Sequence, residues 1–283
     1  MPAGKGDCSV RIGLALGGGA ARGLAHIVIL EAFDELGIKP SLIAGTSMGA
    51  ICGAAYAAGL SAAEIRGHFE ELFVNRARFL RRIVAKLRGG IRALWSPRAP
   101  SVVDNVTLFE MLLPEALRCD FAALKLPFLA IAADFYSGEQ VVLDTGPLIP
   151  ALAASCALPS LSRPVVREGR VLIDGGYSNP LPYDVVMGRA DLTVAVDVTA
   201  VMRPLGQAAH PGTLQLLTGA TQMLFHALAR EKLKSLSPDI LIRPSVASFG
   251  ALDYFRLTEI LAAAAPAKAD LKCKLADRLA NKR

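Results

Sequence analysis

Paired cysteines are missing from this sequence. The chain has five cysteines, an odd number, and no two of them form a Cys-x-x-Cys pair. This distribution excludes a disulfide framework and a zinc site built from such pairs. The sequence instead predicts reduced, buried thiols in a cytoplasmic protein, at Cys8, Cys52, Cys119, Cys156 and Cys273.

Charge is also scarce. Only 20% of the 283 residues are Asp, Glu, Lys or Arg, whereas 53% are apolar, and the mean hydropathy is +0.41. This composition predicts a globular chain and excludes intrinsic disorder. The 31 Lys and Arg against 25 Asp and Glu give a net charge of +6. That mild excess favours an anionic partner, such as a phospholipid surface or nucleic acid.

One run without charge, residues 41–63, is long enough to cross a membrane. Four glycines, together with Thr46 and Ser47, interrupt it, so a buried strand, turn and core helix are predicted instead. The N-terminal residues contain a short apolar stretch and no small-residue cleavage site, and no signal peptide is predicted there.

Short apolar runs alternate with helical periods along the chain. Residues 10–16 form a strand-like run that ends in three glycines, and a helical pattern follows up to Gly37. Residues 42–44 and 48–58 repeat this order, which predicts parallel strands with right-handed crossovers. Further strands are predicted at 128–133, 140–143, 165–166, 170–173, 192–198 and 240–242, and long helices at 213–236 and 257–279. The fold class is therefore α/β, with a mostly parallel central sheet flanked by helices.

Acidic residues are absent from residues 75–92, NRARFLRRIVAKLRGGIR, which hold seven Arg and Lys. Phe79, Ile83 and Leu87 follow a helical spacing among them. One interpretation is a basic amphipathic helix, with residues 76–92 in peripheral contact with an anionic membrane. The other is the solvated face of an ordinary helix. No nucleic acid is expected as a partner, because one basic helix without a recognised motif is a weak signal.

A glycine-rich loop, LGGGAARG at residues 16–23, lies between the first predicted strand and helix. Small residues let consecutive N–H groups point into one concavity, which suits a phosphate or a developing oxyanion. The dinucleotide fingerprint fails, since after Gly17 and Gly19 the third glycine would fall on Arg22. The Gly-Lys-Ser/Thr ending of a phosphate loop is also absent. An anion-binding loop and a tight turn without a ligand remain as alternatives.

A lone serine stands between two glycines in GTSMG, residues 45–49. The segment fits G-x-S-x-G between a predicted strand and a predicted helix, which is the context that a nucleophile elbow requires. The flanking glycines permit the strained turn that lifts the Ser47 side chain out of the sheet. Ser47 is therefore the candidate nucleophile, and the alternative is that Gly45, Ser47 and Gly49 only ease tight packing.

A nucleophilic serine needs a base, and the chain has only four histidines. Three of them fall in helical patterns and are predicted to pack there: His26, His68 and His226. His210 is the loop histidine, and Asp174, after the predicted strand at 170–173, is the alternative base. Because parallel strands share one carboxyl edge, Asp174 is expected beside Ser47, although it also suits a turn or a helix cap. An aspartate with a pKa near ~4 is a poor base unless burial raises that pKa.

Four blocks in order resemble the patatin-like phospholipase family: GGGAARG at 17–23, GTSMG at 45–49, ASCALPS at 154–160 and DGGYSNPLP at 174–182. The resemblance implies a three-layer α/β/α catalytic domain at 8–200, with 201–283 as the mainly helical C-terminal part of the same domain. Residues 60–125 lack recognisable motifs and are expected to form a helical cap over an apolar acyl channel.

The resemblance further implies a Ser47–Asp174 dyad that cleaves carboxylic esters of lipids, phospholipid or lysophospholipid, through an acyl-enzyme. It implies an oxyanion hole from the amides of Gly18, Gly19 and Ala20. Ala20 stands where the family's third glycine falls, and its methyl group narrows the choice of backbone conformations. No metal and no cofactor are implied. The supporting motif positions are Arg22, Gly23, Gly45, Gly49, Gly175 and Gly176.

Three alternatives stay open. An α/β-hydrolase with a Ser47/His210 triad predicts the same reaction with a different base, although its elbow usually follows several strands. A non-catalytic anionic-lipid-binding protein would use the glycine loop for the anion. A dinucleotide-binding oxidoreductase is disfavoured by the broken fingerprint. The expected location is cytoplasmic, with peripheral membrane contact as an option.

Overall fold

The computed structural model describes residues 10–74, 103–159, 161–200 and 212–281. Eight strands form one sheet in the order β5-β6-β3-β2-β1-β7-β8, and β4 also pairs with β3. The strands are β1 Ile12–Leu16, β2 Leu42–Thr46, β3 Phe128–Asp134, β4 Gln140–Leu143, β5 Val165–Arg167, β6 Arg170–Asp174, β7 Leu192–Val196 and β8 Ile240–Ile242.

Some helices lie in segments that were predicted to be helical, and others lie in segments for which no helix was predicted. Those described are α1 His26–Glu35, α2 Met48–Ala57, α3 Ala62–Val74, α4 Asn105–Leu112, α5 Leu148–Ser155, α6 Thr213–Ser235, α7 Leu257–Ala264 and α8 Pro266–Ala280. A 3₁₀ turn at Ala20–Ala25 leads into α1. The long helix predicted at 257–279 is two helices, because Pro266 lacks an N–H and starts a new helix at its first position.

The sheet is parallel in its centre and antiparallel on one side. β1 pairs in parallel with β2 and β7, β2 with β3, and β7 with β8. β3 pairs antiparallel with β4 and β6, and β5 with β6. The prediction of a mostly parallel sheet flanked by helices is confirmed, and the antiparallel side is an addition to it.

β3 has three partners, and their registers place two of them on one edge. β2 pairs with residues 128–131, β4 with 130–133 and β6 with 132–134. A strand has two edges, and β4 overlaps both of the others, so β2 and β6 must share the opposite edge. Thr46, the last residue of β2, pairs with Ile131, and Asp174, the last residue of β6, pairs with Ala132. The two strands therefore end against each other.

Both faces of the sheet are covered. The larger core packs α1, α2, α3 and α8 against the side chains of Leu14, Leu16 and Ile43. The other face buries Ala15 and Ala44, with Ala229 of α6 in the same apolar cluster. Every residue of α2 is buried, so the charge-free run at 41–63 is a core strand, turn and helix. Within the described ranges, no helix has the length and hydropathy to cross a membrane.

Some predictions concern residues outside the described ranges: the basic segment 75–92, His210, Cys8 and Ser160 of the third block. The four described cysteines are free thiols. The predicted burial is confirmed for Cys52. Cys119 and Cys156 are partly exposed and Cys273 is exposed, so the prediction of burial was wrong for these three. Cys273 faces water because only Ala267, Leu271 and Leu275 form the buried side of α8.

Candidate active site

Ser47 occupies the turn between β2 and α2. Its backbone has φ 53° and ψ −122°, a left-handed conformation that is costly for a residue with a Cβ atom. The side chain is 9% exposed, and its Oγ donates to Asp174 Oδ2 at 2.7 Å. Strain of this kind persists only where the surrounding structure enforces it, and here it directs the hydroxyl toward a carboxylate.

The strand that carries Asp174 to this position runs in a direction other than the predicted one. The prediction placed Asp174 at the carboxyl edge of a parallel sheet, but β6 runs antiparallel to β3. The last residue of β2, Thr46, pairs with Ile131 of β3, and Asp174 pairs with the next residue, Ala132. Asp174 therefore lies beside Ser47. Thr46 Oγ1 also donates to the carbonyl of Asn179 at 2.8 Å, which ties the elbow to the segment after Asp174.

The environment of Asp174 changes its acidity. The residue is 3% exposed, and burial raises the pKa of its carboxyl from 3.8 to about 6. The N–H of Gly176, 2.8 Å from Oδ1, and the Ser47 hydroxyl both stabilise the carboxylate and oppose that rise in pKa. A carboxylate with a pKa near 6 is a better proton acceptor than an exposed aspartate, which answers the physical objection to an aspartate base.

Ser155, at the end of α5, is a site residue that motif reasoning did not single out. Its side chain is fully buried, and its Oγ accepts from the N–H of Ser47 at 2.9 Å. The same hydroxyl donates to the carbonyl of Ile131 at 2.6 Å. Since Ile131 pairs with Thr46, the Ser155 hydroxyl joins the elbow to β3 at the junction of β2 and β6. Because the Ser47 N–H donates to the Ser155 hydroxyl, it is not free to donate to another acceptor.

Replacing Ser155 with alanine should impair both stability and turnover. The change leaves the Ser47 N–H and the Ile131 carbonyl buried without partners, which should lower the free energy of unfolding by about 2 kcal/mol. Loss of the bond that orients the elbow should lower kcat per active site by about tenfold or more. Chemical denaturation and ester hydrolysis, with active sites titrated by a covalent inhibitor, measure the two effects.

The matched control is Ser162→Ala. Ser162 also lines the cavity that Ser47 lines and is buried, 6% exposed, but among the described residues its hydroxyl makes a single long hydrogen bond of 3.4 Å, to the Leu158 carbonyl. We expect little change in stability or kcat from its loss. An unchanged kcat per titrated site in Ser155→Ala would show that Ser155 supports folding without orienting the nucleophile.

The glycine loop lies against the elbow, but its amides are not all free. A Cβ atom on Gly18 would lie 3.5 Å from the Cβ of Ser47. The N–H of Gly18 already donates to the Pro180 carbonyl at 2.8 Å, so this amide is unavailable to an oxyanion, contrary to the expectation. Among the described residues, the amides of Gly19 and Ala20 have no acceptor. Ala20 has φ 49° and lines the same cavity as Ser47.

Arg22 anchors the loop to the C-terminal part of the chain. The side chain is fully buried, and its Nε donates to the Phe249 carbonyl at 2.8 Å. Nη1 donates to the Ala200 carbonyl at 2.6 Å, and burial lowers the pKa of the guanidinium. Arg22 itself does not line the Ser47 cavity, although its Nη1 lies 3.5 Å from Oε1 of Gln222, which does.

None of the three described histidines forms a hydrogen bond with Ser47. His26 is buried, and its Nε2 donates to the Gly17 carbonyl at 2.8 Å; burial lowers the pKa of this ring to about 4. His68 Nε2 contacts the Leu112 carbonyl, and His226 Nδ1 lies 3.3 Å from the Thr199 hydroxyl. Within the described ranges, the Ser47 hydroxyl donates to Asp174, and the Cys156 thiol also lies within hydrogen-bond reach of it.

The motif glycines allow close approach around this centre. At each of five of them, an added Cβ atom would come within 2.1 to 2.6 Å of a neighbouring atom. These glycines are Gly23, Gly45, Gly49, Gly175 and Gly176.

A cavity of about 280 Å³, the Ser47 cavity, contains the pair Ser47 and Asp174. Its other lining side chains are mostly aliphatic and aromatic, including Phe69 of α3, Leu108 of α4 and Phe225 of α6. α3 and α4 belong to the range 60–125 predicted as a cap, so the described parts of that range line the cavity. The space can accept a hydrocarbon chain next to a serine hydroxyl.

Fold and site together define an α/β protein with a strained serine elbow, a buried carboxylate partner and an apolar cavity. Residues 14–187 match the sequence model of the family described as patatin-like phospholipase. The match spans more than half of the chain, and the chain belongs to the patatin-like phospholipase family. The family predicted from the four sequence blocks is confirmed.

Several curated relatives are longer proteins. An uncharacterized NTE family protein of Mycobacterium tuberculosis is 35% identical over 236 residues, which cover 81% of this chain and 61% of the relative. Lysophospholipase NTE1 of Pyricularia oryzae is 26% identical over 276 residues, 90% of this chain and 18% of that protein. The chain thus spans about three fifths or less of these two relatives. Among solved structures, VipD from Legionella pneumophila aligns with a TM-score of 0.45 at 14% identity, over 93% of this chain and 66% of that one.

Proposed function

We propose that this protein hydrolyses carboxylic esters of lipids, with Ser47 as the nucleophile and Asp174 as its base. The observation that carries the proposal is the 2.7 Å hydrogen bond from Ser47 Oγ to Asp174 Oδ2 inside an apolar cavity. Asp174 accepts the proton as Ser47 Oγ attacks the ester carbonyl carbon, and it returns this proton to the leaving oxygen as the bond to the alcohol breaks. Water then cleaves the acyl-enzyme and releases the fatty acid.

The negative charge that develops on the carbonyl oxygen needs donors. The free amides of Gly19 and Ala20 are the proposed oxyanion donors, since the Gly18 amide donates to Pro180 and the Ser47 amide to Ser155. Fixed amide donors of this kind stabilise the transition state by about 3 kcal/mol each.

A phospholipid or lysophospholipid is the proposed substrate class. Family membership, the lysophospholipase relative and the apolar lining of the Ser47 cavity support this choice. The protein reaches such a substrate at a lipid surface, and peripheral contact through residues 76–92 remains part of the proposal.

A covalent trap tests the proposed nucleophile. The full chain is incubated with an alkyl fluorophosphonate, which reacts with activated serines, and the modified peptide is identified by mass spectrometry. We expect one adduct, on Ser47, with loss of hydrolysis of a medium-chain p-nitrophenyl ester in proportion to labelling. Labelling elsewhere, or none with full hydrolysis, would contradict the proposal.

The same assay separates the dyad from its rivals. If His210→Ala abolished hydrolysis while Asp174→Asn kept it, the triad hydrolase would replace the dyad. Tight binding to anionic vesicles without turnover of any ester would favour the lipid-binding protein.

Hydrolysis should depend on the protonation of Asp174. Only the carboxylate accepts a proton, so kcat/KM should rise tenfold per pH unit on the acid side and level off above about pH 6. The acid limb is expected there because burial raises the pKa of the Asp174 carboxyl. A pH profile with p-nitrophenyl butyrate measures it, and an acid limb near pH 4 would show an exposed, ordinary carboxylate.

A further inference from the structure

A second apolar groove of about 300 Å³, the α6 groove, runs along α6 beside the Ser47 cavity. Leu158 and Leu161 line both spaces. Tyr177, from the turn that follows Asp174, lines the groove, and its ring packs edge-on against Phe225 at a centroid distance of 5.1 Å. Phe225 faces the Ser47 cavity. These four side chains therefore form a shared wall between groove and cavity.

The chemistry of the α6 groove suits a hydrocarbon. Its described lining carries no charged side chain. Thr218 Oγ1 donates to the Leu214 carbonyl at 2.8 Å, and Thr221 Oγ1 donates to the Leu217 carbonyl at 3.0 Å. The Tyr177 hydroxyl pairs with Thr221 Oγ1 at 3.3 Å. Because these hydroxyls are engaged, a polar head group gains little there.

The groove also leaves apolar surface in water. Leu214, Leu217 and Leu224 line it and are 47%, 49% and 44% exposed. Removing such surface from water is favourable roughly in proportion to its area. A flexible alkyl chain can cover all three leucines.

We propose that the α6 groove binds the second acyl chain of a diacyl lipid whose scissile ester lies at Ser47. The occupant follows from the shared wall, since a lipid with one chain in the Ser47 cavity carries its other chain close by. A single-chain lipid leaves the groove empty. The inference rests on the proposed function and names its substrate class as diacyl lipids.

The test compares two neighbouring leucines of α6. Leu217 lines the groove, whereas Leu216, 55% exposed, does not. The full chain and the variants Leu217→Gln, Leu216→Gln and Ala220→Trp are assayed on diacylphosphatidylcholine in detergent micelles, on lysophosphatidylcholine and on p-nitrophenyl butyrate. Ala220 is an exposed lining residue, so a tryptophan there fills the groove without disturbing the core.

We expect the ratio of kcat/KM on the diacyl lipid to kcat/KM on the short ester to fall about tenfold in Leu217→Gln and Ala220→Trp. The ratio should not change in Leu216→Gln. An equal fall in Leu216→Gln would overturn the inference, since the whole apolar surface of α6 would then be responsible. Wild-type cleavage of the short ester and the lysolipid but not the diacyl lipid would also overturn it. If the short ester is not cleaved at all, the proposed function itself has failed.

Discussion

Ser47→Ala is expected to lower kcat for a p-nitrophenyl ester at least about 10⁴-fold, with the protein still folded. Alanine removes the Oγ atom that would form the proposed acyl-enzyme, while it keeps the Cβ atom and the backbone of the elbow. Asp174→Asn should lower kcat by about 10³- to 10⁴-fold, because an amide cannot accept the serine proton. Its oxygen can still accept the N–H of Gly176, so the turn after β6 should persist.

Thermal unfolding provides the control for these two variants. Burial raises the pKa of the Asp174 carboxyl, so the ionised form is destabilised in the fold and the cost grows as pH rises through about 6. Asp174→Asn should therefore unfold at no lower a temperature than wild type at about pH 8. If Ser47→Ala hydrolysed the ester at more than a hundredth of the wild-type rate, Ser47 would not be the nucleophile.

Gly49→Ala should damage the fold more than any other single change considered. A Cβ atom on Gly49 would lie 2.2 Å from the Leu16 carbonyl oxygen and 2.7 Å from that of Gly17. Both are backbone atoms at the end of β1, so no side chain can move aside. We expect a loss of about 3 kcal/mol or more, seen as a Tm lower by roughly 6–12 °C or as insoluble protein.

The chain offers a matched control in Gly67→Ala. Gly67 lies inside α3, and an added Cβ atom would meet nothing within 4 Å. Alanine is the better helix former, so this variant should gain about 0.5–1 kcal/mol. Circular dichroism melts of both variants decide the matter. If Gly49→Ala melts like wild type, the contact between elbow and glycine loop is looser than the structure indicates.

Sequence periodicity was sufficient for most strands and for the elbow. The run at 42–44 and the helical pattern from 48 bracket Ser47 correctly, since strand, turn and helix each have a local signal. The direction of the strands was harder to predict from the sequence. Glu168 and Gly169 both have positive φ and turn the chain directly from β5 into β6. A two-residue loop with glycine indicates a hairpin, and that signal could have revealed the antiparallel side.

Other features of the site have no local signal. Ser155 bonds to Ser47 and Ile131, which are 108 and 24 residues away in the chain. The hydrogen bond from the Gly18 N–H to the Pro180 carbonyl likewise depends on how distant segments of the chain pack. Hydrogen bonds of this kind depend on tertiary register, and a motif shows only that a small or hydroxyl residue stands at the position.

The end-to-end meeting of β2 and β6 has a consequence for how this protein acquires activity. β1 and β2 pair across a short stretch of chain, with Gly13 opposite Leu42, whereas Asp174 lies 127 residues after Ser47. Closing long loops is entropically expensive and slow relative to local pairing. We therefore expect the β1–β2 unit with the Ser47 elbow to form before the β5–β6 hairpin brings Asp174 to it. During refolding, recovery of ester hydrolysis should lag behind recovery of helical structure, because the proposed dyad is complete only when β6 is in place.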